Sequence, residues 1–121
     1  MEARELRIGN YVLEKRREEF IQFRSFAGLS NFEASAWEFE PIHLTEEWLL
    51  KFGFKKEDDG LYIYEFGRHY FRIGLGNEWN DLYYREDIGM DGIVFKPSMD
   101  YVHQLQNLIY VITGEELELK N

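Results

Sequence analysis

The feature that most constrains this fold is an amphipathic run near the C-terminus that ends at a glycine. At about 100° per residue, its apolar side chains fall within an arc about 120° wide. These side chains are Tyr101, Val102, Leu105, Leu108, Ile109 and Ile112. Gly114 then supplies the left-handed conformation with which helices commonly end. The pattern predicts a helix over residues 99–113, with Ser98 as its N-cap and its apolar face packed on a sheet.

The opposite side of this helix carries uncharged polar groups, where surface helices usually carry lysine and glutamate. The four residues, which we call the polar stripe, are His103, Gln106, Asn107 and Tyr110. In one interpretation the stripe lies against the N-terminal β segment or on an ordinary exposed face. In the other it is a candidate interaction surface, because uncharged hydrogen-bonding groups beside an aromatic ring suit the core of an interface.

A second, shorter helix is predicted over residues 46–52. Thr45 precedes it as a candidate N-cap, and two glutamates in its first turn suit the positive end of the helix dipole. Gly53 takes the position at which a left-handed residue ends a helix, and Phe54 can then fold back onto Leu49.

Extended segments separated by short turns account for most of the remaining chain. The connections between them are too short for parallel pairing, so we expect antiparallel strands. The expected strands cover residues 5–14, 19–26, 61–66, 69–75, 79–85 and 92–96. Residues 27–40 have no clear pattern, although 32–39 could form a further strand. Leu117 and Leu119 alternate with acidic residues, as in an edge strand.

The fold class predicted from these elements is α+β. It consists of an antiparallel sheet of five to seven strands, with the short helix at 46–52 and the long helix at 99–113 packed on one face. The length of 121 residues predicts a single domain over residues 1–121.

The charge balance of the chain bears on its partners. The chain carries 23 acidic residues against 14 basic ones, a formal net charge of −9. Nucleic-acid binding needs a basic footprint, so this balance opposes it. No apolar block has the length of a signal peptide core or of a membrane span, so we expect a cytoplasmic protein without a membrane partner.

Aromatic residues are frequent, with 10 Phe, 8 Tyr and 3 Trp. This number exceeds what the core of so small a domain requires, so part of the aromatic surface should be exposed or shared with a partner. Four of these residues are candidates to line a pocket: Trp37, Trp79, Tyr83 and Tyr84.

The sequence predicts no catalytic, cofactor or metal site. The chain has no cysteine, and His43, His69 and His103 lack the short spacing of zinc ligands. The segment 87–92 resembles half of a calcium loop, but glycine stands at its third position and serine at its closing position. The serines and the acidic pairs occupy turn, cap and helix-end positions, so no nucleophile is predicted beside a base.

Three segments of the chain carry a family resemblance. Residues 5–12 read ELRIGNYV, residues 41–54 read PIHLTEEWLLKFGF, and residues 103–117, the most specific part, read HQLQNLIYVITGEEL. In this combination the chain resembles a group of small bacterial and prophage-associated proteins of unassigned function. The resemblance implies a mobile-element context, and it carries over neither an activity nor a catalytic residue.

These observations favour a non-catalytic interaction or accessory protein of mobile-element origin. Its expected partner is another protein of unknown identity, and a homo-oligomer remains open. The alternative is a small enzyme or ligand-binding module with an acidic pocket lined by the four aromatic candidates. A flat aromatic patch would favour the first function, and a deep pocket with convergent acids beside those aromatics would favour the second.

Overall fold

The computed structural model describes residues 6–23, 39–75, 80–86, 92–95 and 98–120. Within these ranges the protein is α+β, as the sequence predicts, with two helices and two antiparallel sheets. The chain divides into two compact units. Unit 1 consists of Met1–His43 and Tyr101–Glu116, and unit 2 of Leu44–Asp100 and Leu117–Asn121. The single domain expected from the length stays a prediction.

Both helices in the described ranges lie close to where the sequence predicts them. Helix α1 spans Glu46–Phe52, and helix α2 spans Val102–Thr113. Each is followed by a glycine in the left-handed conformation, Gly53 with φ 102° and Gly114 with φ 75°. The two predicted glycine endings are therefore confirmed.

The start of α2 differs from the prediction, because Ser98 does not cap it. The Ser98 hydroxyl accepts a hydrogen bond from the Asn80 amide at 2.7 Å and donates one to the Asp100 carboxylate at 2.6 Å. The extended residue Tyr101 takes the N-cap position instead, and its amide donates to the side chain of Gln104 at 3.1 Å. The predicted cap was wrong because the Ser98 hydroxyl is bonded to Asp100 and to Asn80, a residue 18 positions away in the chain.

Unit 1 is a three-stranded antiparallel sheet with α2 against its central strand. The strands are β1 (Tyr11–Glu14), β2 (Glu19–Gln22) and β3 (Phe39–Glu40), in the order β2-β1-β3. Val12 and Phe23 form a small buried apolar core. On α2, Leu105 and Ile109 are buried, as expected for the apolar side of the helix.

Unit 2 contains a five-stranded antiparallel meander. Its strands are β4 (Lys55–Lys56), β5 (Tyr62–Phe66), β6 (His69–Ile73), β7 (Leu82–Arg85) and β8 (Ile93–Phe95), in that spatial order. One face of the sheet is buried and includes Tyr62, Phe71, Ile73 and Leu82. Phe54, which follows α1, stacks on Tyr64 of the same face with 5.1 Å between ring centroids.

The strands form two sheets where the sequence predicts one. Strands near the N-terminus pair in unit 1, and those from residue 55 onward pair in unit 2. Leu117 and Leu119 are not in a strand; Leu117 is buried, and the Lys120 amide donates to the carbonyl of Lys51. Residues 24–38, which hold the end of the strand predicted over 19–26 and most of the undetermined segment, lie outside the described ranges.

Gly9 and Gly53 have nearly the same left-handed backbone, with φ 106° and 102°, but different surroundings. At Gly53 the following amide, that of Phe54, bonds the Leu49 carbonyl at 3.0 Å, and an added Cβ would meet its nearest neighbour at 3.6 Å. At Gly9, just before β1, an added Cβ would lie 2.6 Å from Oε2 of Glu116. Backbone conformation therefore favours glycine at both positions, and at Gly9 an added Cβ would in addition displace the Glu116 carboxylate.

Replacing each glycine by alanine separates these two effects. Gly53→Ala should lower the free energy of unfolding by about 1–2 kcal/mol, the cost of a left-handed backbone for a residue with a Cβ. Gly9→Ala should lower it further, because the Glu116 carboxylate must also move away from its bonds. Urea denaturation with linear extrapolation measures both losses. Equal losses in the two variants would contradict the close approach of Glu116 to Gly9.

Candidate functional site

The polar stripe predicted on the long helix lies largely inside unit 1. His103 and Gln106 are buried, Asn107 is partly buried, and Tyr110 is 41% exposed. His103 stacks against the ring of Tyr101, with 5.9 Å between ring centroids. The stripe therefore meets other parts of the same unit along most of its length.

Gln106 bonds the start of β1 and the segment just before it with the two ends of its amide. Its Oε1 accepts a hydrogen bond from the Tyr11 amide at 3.0 Å, and its Nε2 donates to the Gly9 carbonyl at 2.9 Å. The same Nε2 lies 3.2 Å from Oε1 of Glu116. Buried polar groups in proteins are nearly always hydrogen-bonded, and here both the oxygen and the nitrogen of the Gln106 amide have partners.

Arg7 extends this network to the rest of the helix face. Its guanidinium forms a salt bridge with Glu116, and its Nε donates to Oδ1 of Asn107 at 3.0 Å. The same guanidinium lies 4.2 Å from the ring centroid of Tyr110. Asn10 completes the network, since its Nδ2 donates to Asn107 at 2.8 Å. We call this group the polar clamp: Arg7, Asn10, Gln106, Asn107 and Glu116.

The polar stripe is therefore not the open partner surface that one interpretation of the sequence predicts. The other interpretation, in which the stripe contacts the N-terminal β segment, applies to Gln106, Asn107 and Tyr110. Helical periodicity could not separate the two, because the bonding partners are far apart in the chain: Arg7 and Asn107 are 100 residues apart.

The two predicted pocket tyrosines that the structure describes do not line one pocket together. Tyr83 and Tyr84 are neighbours on β7, so their side chains lie on opposite faces of the sheet. Tyr84 shares the buried face with Phe71, its partner in the register, and its hydroxyl lies 2.7 Å from Nδ1 of His69. Burial raises the pKa of the Tyr84 phenol above its usual value, and the nearby carboxylate of Glu86 raises it further.

A cavity of about 400 Å³ lies elsewhere in unit 2. The described residues that line it are Gly53, Lys55, Glu57, Ile63, Tyr64 and Glu65. Neither Tyr83 nor Tyr84 is among them. The other two candidates, Trp37 and Trp79, and residues 87–91 of the calcium-like segment lie outside the described residues.

The histidines are distributed over both units. His43 and His103 each contact the ring of Tyr101 in unit 1, whereas His69 belongs to β6 in unit 2. Over the ranges that the structure covers, no three His, Asp or Glu side chains converge as metal ligands would. No helix in those ranges is long and apolar enough to cross a membrane.

The face of β6 and β7 opposite the buried one carries a cluster that the sequence did not single out. In the register of these strands, Tyr70 lies opposite Arg85, and Arg72 lies opposite Tyr83. Each guanidinium lies over the ring of its cross-strand partner, at 4.2 Å for Arg85 on Tyr70 and 4.7 Å for Arg72 on Tyr83. Arginine and tyrosine therefore alternate both along and across the strands. We call these four residues the Arg–Tyr face.

Packing holds the Arg–Tyr face in place while leaving it partly exposed. The two tyrosine rings meet edge to face, with 6.4 Å between centroids. Gly92 lies against the Tyr83 ring so closely that an added Cβ would overlap it. Val94, paired with Tyr83 on the neighbouring strand β8, is 52% exposed and continues the face toward the sheet edge.

Part of the signal for this face is present in the sequence. Tyr70 and Arg72 alternate with Phe71 and Ile73, which predicts a second face on β6. The pairing with β7 could not be predicted, because it depends on a register that local pattern does not determine. The net charge of −9 also gives no sign that the fold brings two positive charges, the two guanidinium groups of this face, close together.

Comparison with known proteins adds no relative to this geometry: no family model, curated protein or solved structure matches the chain. Function is therefore inferred from the arrangement of the side chains themselves.

Replacing Gln106 by glutamate tests the polar clamp at one atom. The change keeps the side-chain shape but places a carboxylate oxygen where Nε2 donates to Gly9 and Glu116. We expect the free energy of unfolding to fall by about 2–4 kcal/mol, because buried acceptors lose their donor and two carboxylates repel each other.

Gln104→Glu is the matched control for this variant. Residue 104 lies in the first turn of α2, where negative charge is favourable, and a carboxylate there still accepts from the Tyr101 amide. Urea denaturation should show unchanged stability for the control. A loss below about 0.5 kcal/mol for Gln106→Glu, the range of ordinary surface changes, would contradict the clamp.

Proposed function

We propose that this chain is a non-catalytic interaction protein that binds a partner protein through the Arg–Tyr face. The observation that carries the proposal is the stacking of two guanidinium groups on two tyrosine rings across a partly exposed sheet face. Tyrosine and arginine are enriched among the residues that contribute most to protein interfaces.

The packing of this face favours binding for an entropic reason. Side chains that are already held in place lose less rotamer freedom when a partner covers them. Arg72 and Arg85 each lie over a ring, and the Tyr83 ring lies against Gly92. Binding of a partner therefore costs little further side-chain conformational entropy at these residues.

The edge strand β8 adds apolar area beside the Arg–Tyr face. Ile93 and Val94 are 58% and 52% exposed, and β8 is the last strand on its side of the sheet as far as the structure describes it. Edge strands usually carry charges that prevent pairing with another chain, whereas β8 reads Ile-Val-Phe. A partner that covers the face would therefore also gain from covering this edge.

The setting of the interaction follows from the rest of the chain. The family resemblance supports an accessory role in a mobile-element, prophage-like context, and we place that role in the cytoplasm. The net charge of −9 disfavours nucleic acid as the partner. A partner protein, which includes a second copy of this chain, remains the proposed ligand class.

The alternative, a small enzyme or ligand-binding module with an aromatic acidic pocket, has less support. Tyr83 and Tyr84 lie on opposite faces of β7. The cavity in unit 2 is lined by two acids and by the base Lys55 beside Tyr64, and neither Tyr83 nor Tyr84 lines it.

Affinity capture with face variants tests the proposed function. The baits are the wild-type protein, the double variant Arg72→Ala/Arg85→Ala, and the control Arg16→Ala/Arg17→Ala, which removes the same charge from the exposed turn after β1. The wild type and the control should retain the same partner protein from native cell extract, and the face variant should lose most of it. Circular dichroism melts establish that all three baits are folded.

Two results would contradict the proposal. One is equal retention of the partner by the face variant and the wild type. The other is the absence of any protein that the wild type retains above an empty support.

A further inference from the structure

We infer that the Arg–Tyr face binds an extended acidic segment of the partner, with carboxylates on alternate residues. This inference rests on the proposed function and specifies the chemistry of the same site. Its basis is the position of each guanidinium group over a tyrosine ring, the spacing of these rings, and the charge of the rest of the chain.

Stacking uses one surface of a guanidinium and leaves its edge for hydrogen bonds. The planar group lies over a ring through its π face, and its N–H donors lie in the plane, in a fork that matches a carboxylate. Arg72 and Arg85 each lie over a ring, with Cζ 4.7 Å and 4.2 Å from the ring centroid. Nε of Arg85 is buried, so a carboxylate would bond the terminal Nη groups of this arginine. Neither forms a salt bridge with any residue that the structure describes. Carboxylate binding is therefore compatible with the stacked geometry.

The spacing of the two arginines fits a strand-like ligand. Because Arg72 pairs with Tyr83, two positions before Arg85, the two arginines lie on a diagonal of the β6–β7 pair. Such diagonal neighbours are about 7–8 Å apart. The centroids of the two tyrosine rings over which these arginines lie are 6.4 Å apart. In an extended chain, alternate residues on the same face are about 6.6–6.8 Å apart. Acidic residues at alternate positions would each meet one guanidinium.

Charge favours an acidic peptide over a nucleic acid. Two guanidinium groups match two carboxylates, whereas tight phosphate-backbone binding draws on many basic residues. The chain around the face is acidic overall, with 23 acids against 14 bases, and Glu65 is an exposed acid opposite Tyr70. A long polyanion would be repelled by this surrounding charge, and a short acidic segment much less.

Fluorescence anisotropy with labelled seven-residue peptides tests the inference. One peptide has glutamates at its third and fifth residues, an isomer has them at its third and fourth, and a neutral version has glutamines at its third and fifth. The alternate peptide should bind about tenfold more tightly than the isomer, because only one carboxylate of the isomer reaches a guanidinium. The neutral peptide should bind more weakly still.

Arg72→Lys and Arg85→Lys test the role of the fork, since each keeps the charge and removes the planar donors. Each should weaken binding of the alternate peptide about tenfold. The matched control is Arg17→Lys, at an arginine whose side chain is 73% exposed in unit 1, and it should leave binding unchanged. Equal affinity for the alternate peptide and its isomer, or no loss in both lysine variants, would overturn the inference.

Two further results separate this inference from the proposed function. If no acidic peptide binds, but the Arg72→Ala/Arg85→Ala bait still loses the partner, the acidic segment is wrong and the proposed function stands. A labelled oligothymidylate that binds more tightly than every peptide would assign the face to nucleic acid and overturn both.

Discussion

The register between β6 and β7 is the constraint on which the proposed function depends. On the buried face Phe71 pairs with Tyr84 and Ile73 with Leu82, and this pairing puts the four residues of the Arg–Tyr face on the opposite side. A shift by one residue would turn every side chain of one strand to the other face. It would expose Phe71 and Ile73, each of which contributes roughly 1.5–3 kcal/mol when buried. Hydrophobic burial on one face therefore determines the arrangement of arginine and tyrosine on the other.

A separate network, the polar clamp, organises unit 1, and it joins two of the segments on which the proposed family resemblance rests. Residues 5–12 supply Arg7 and Asn10, and residues 103–117 supply Gln106, Asn107 and Glu116. Polar residues of these two segments bond to one another, so in this chain the contacts within unit 1 give a structural reason for the polar residues that the segments contain. The Arg–Tyr face lies in neither segment, nor in residues 41–54. The parts of the sequence on which the proposed resemblance rests and the parts that form the proposed binding face are therefore different.

Sequence reasoning succeeded where the signals are local and failed where partners are distant. The end of α1 at Gly53 depends on adjacent residues, and it was predicted correctly. The two sheets, and the contact of Gln106 with Tyr11, depend on pairing between distant parts of the chain, which helical or strand periodicity does not encode. The binding face is an intermediate case. The alternation of Tyr70 and Arg72 is visible in the sequence, whereas their stacking partners follow from a register that only the fold determines.

Nuclear magnetic resonance of the free protein tests the stacked register most directly. A guanidinium over an aromatic ring places the arginine δ protons in the ring current, so the δ protons of Arg72 and Arg85 should be shifted upfield. Cross-relaxation should connect Arg72 with the Tyr83 ring and Arg85 with the Tyr70 ring, in agreement with distances of 4.7 Å and 4.2 Å. Arginine δ shifts at ordinary values, together with cross-relaxation from the Arg72 side chain to the Tyr84 ring in place of the Tyr83 ring, would contradict the register and with it the proposed binding face.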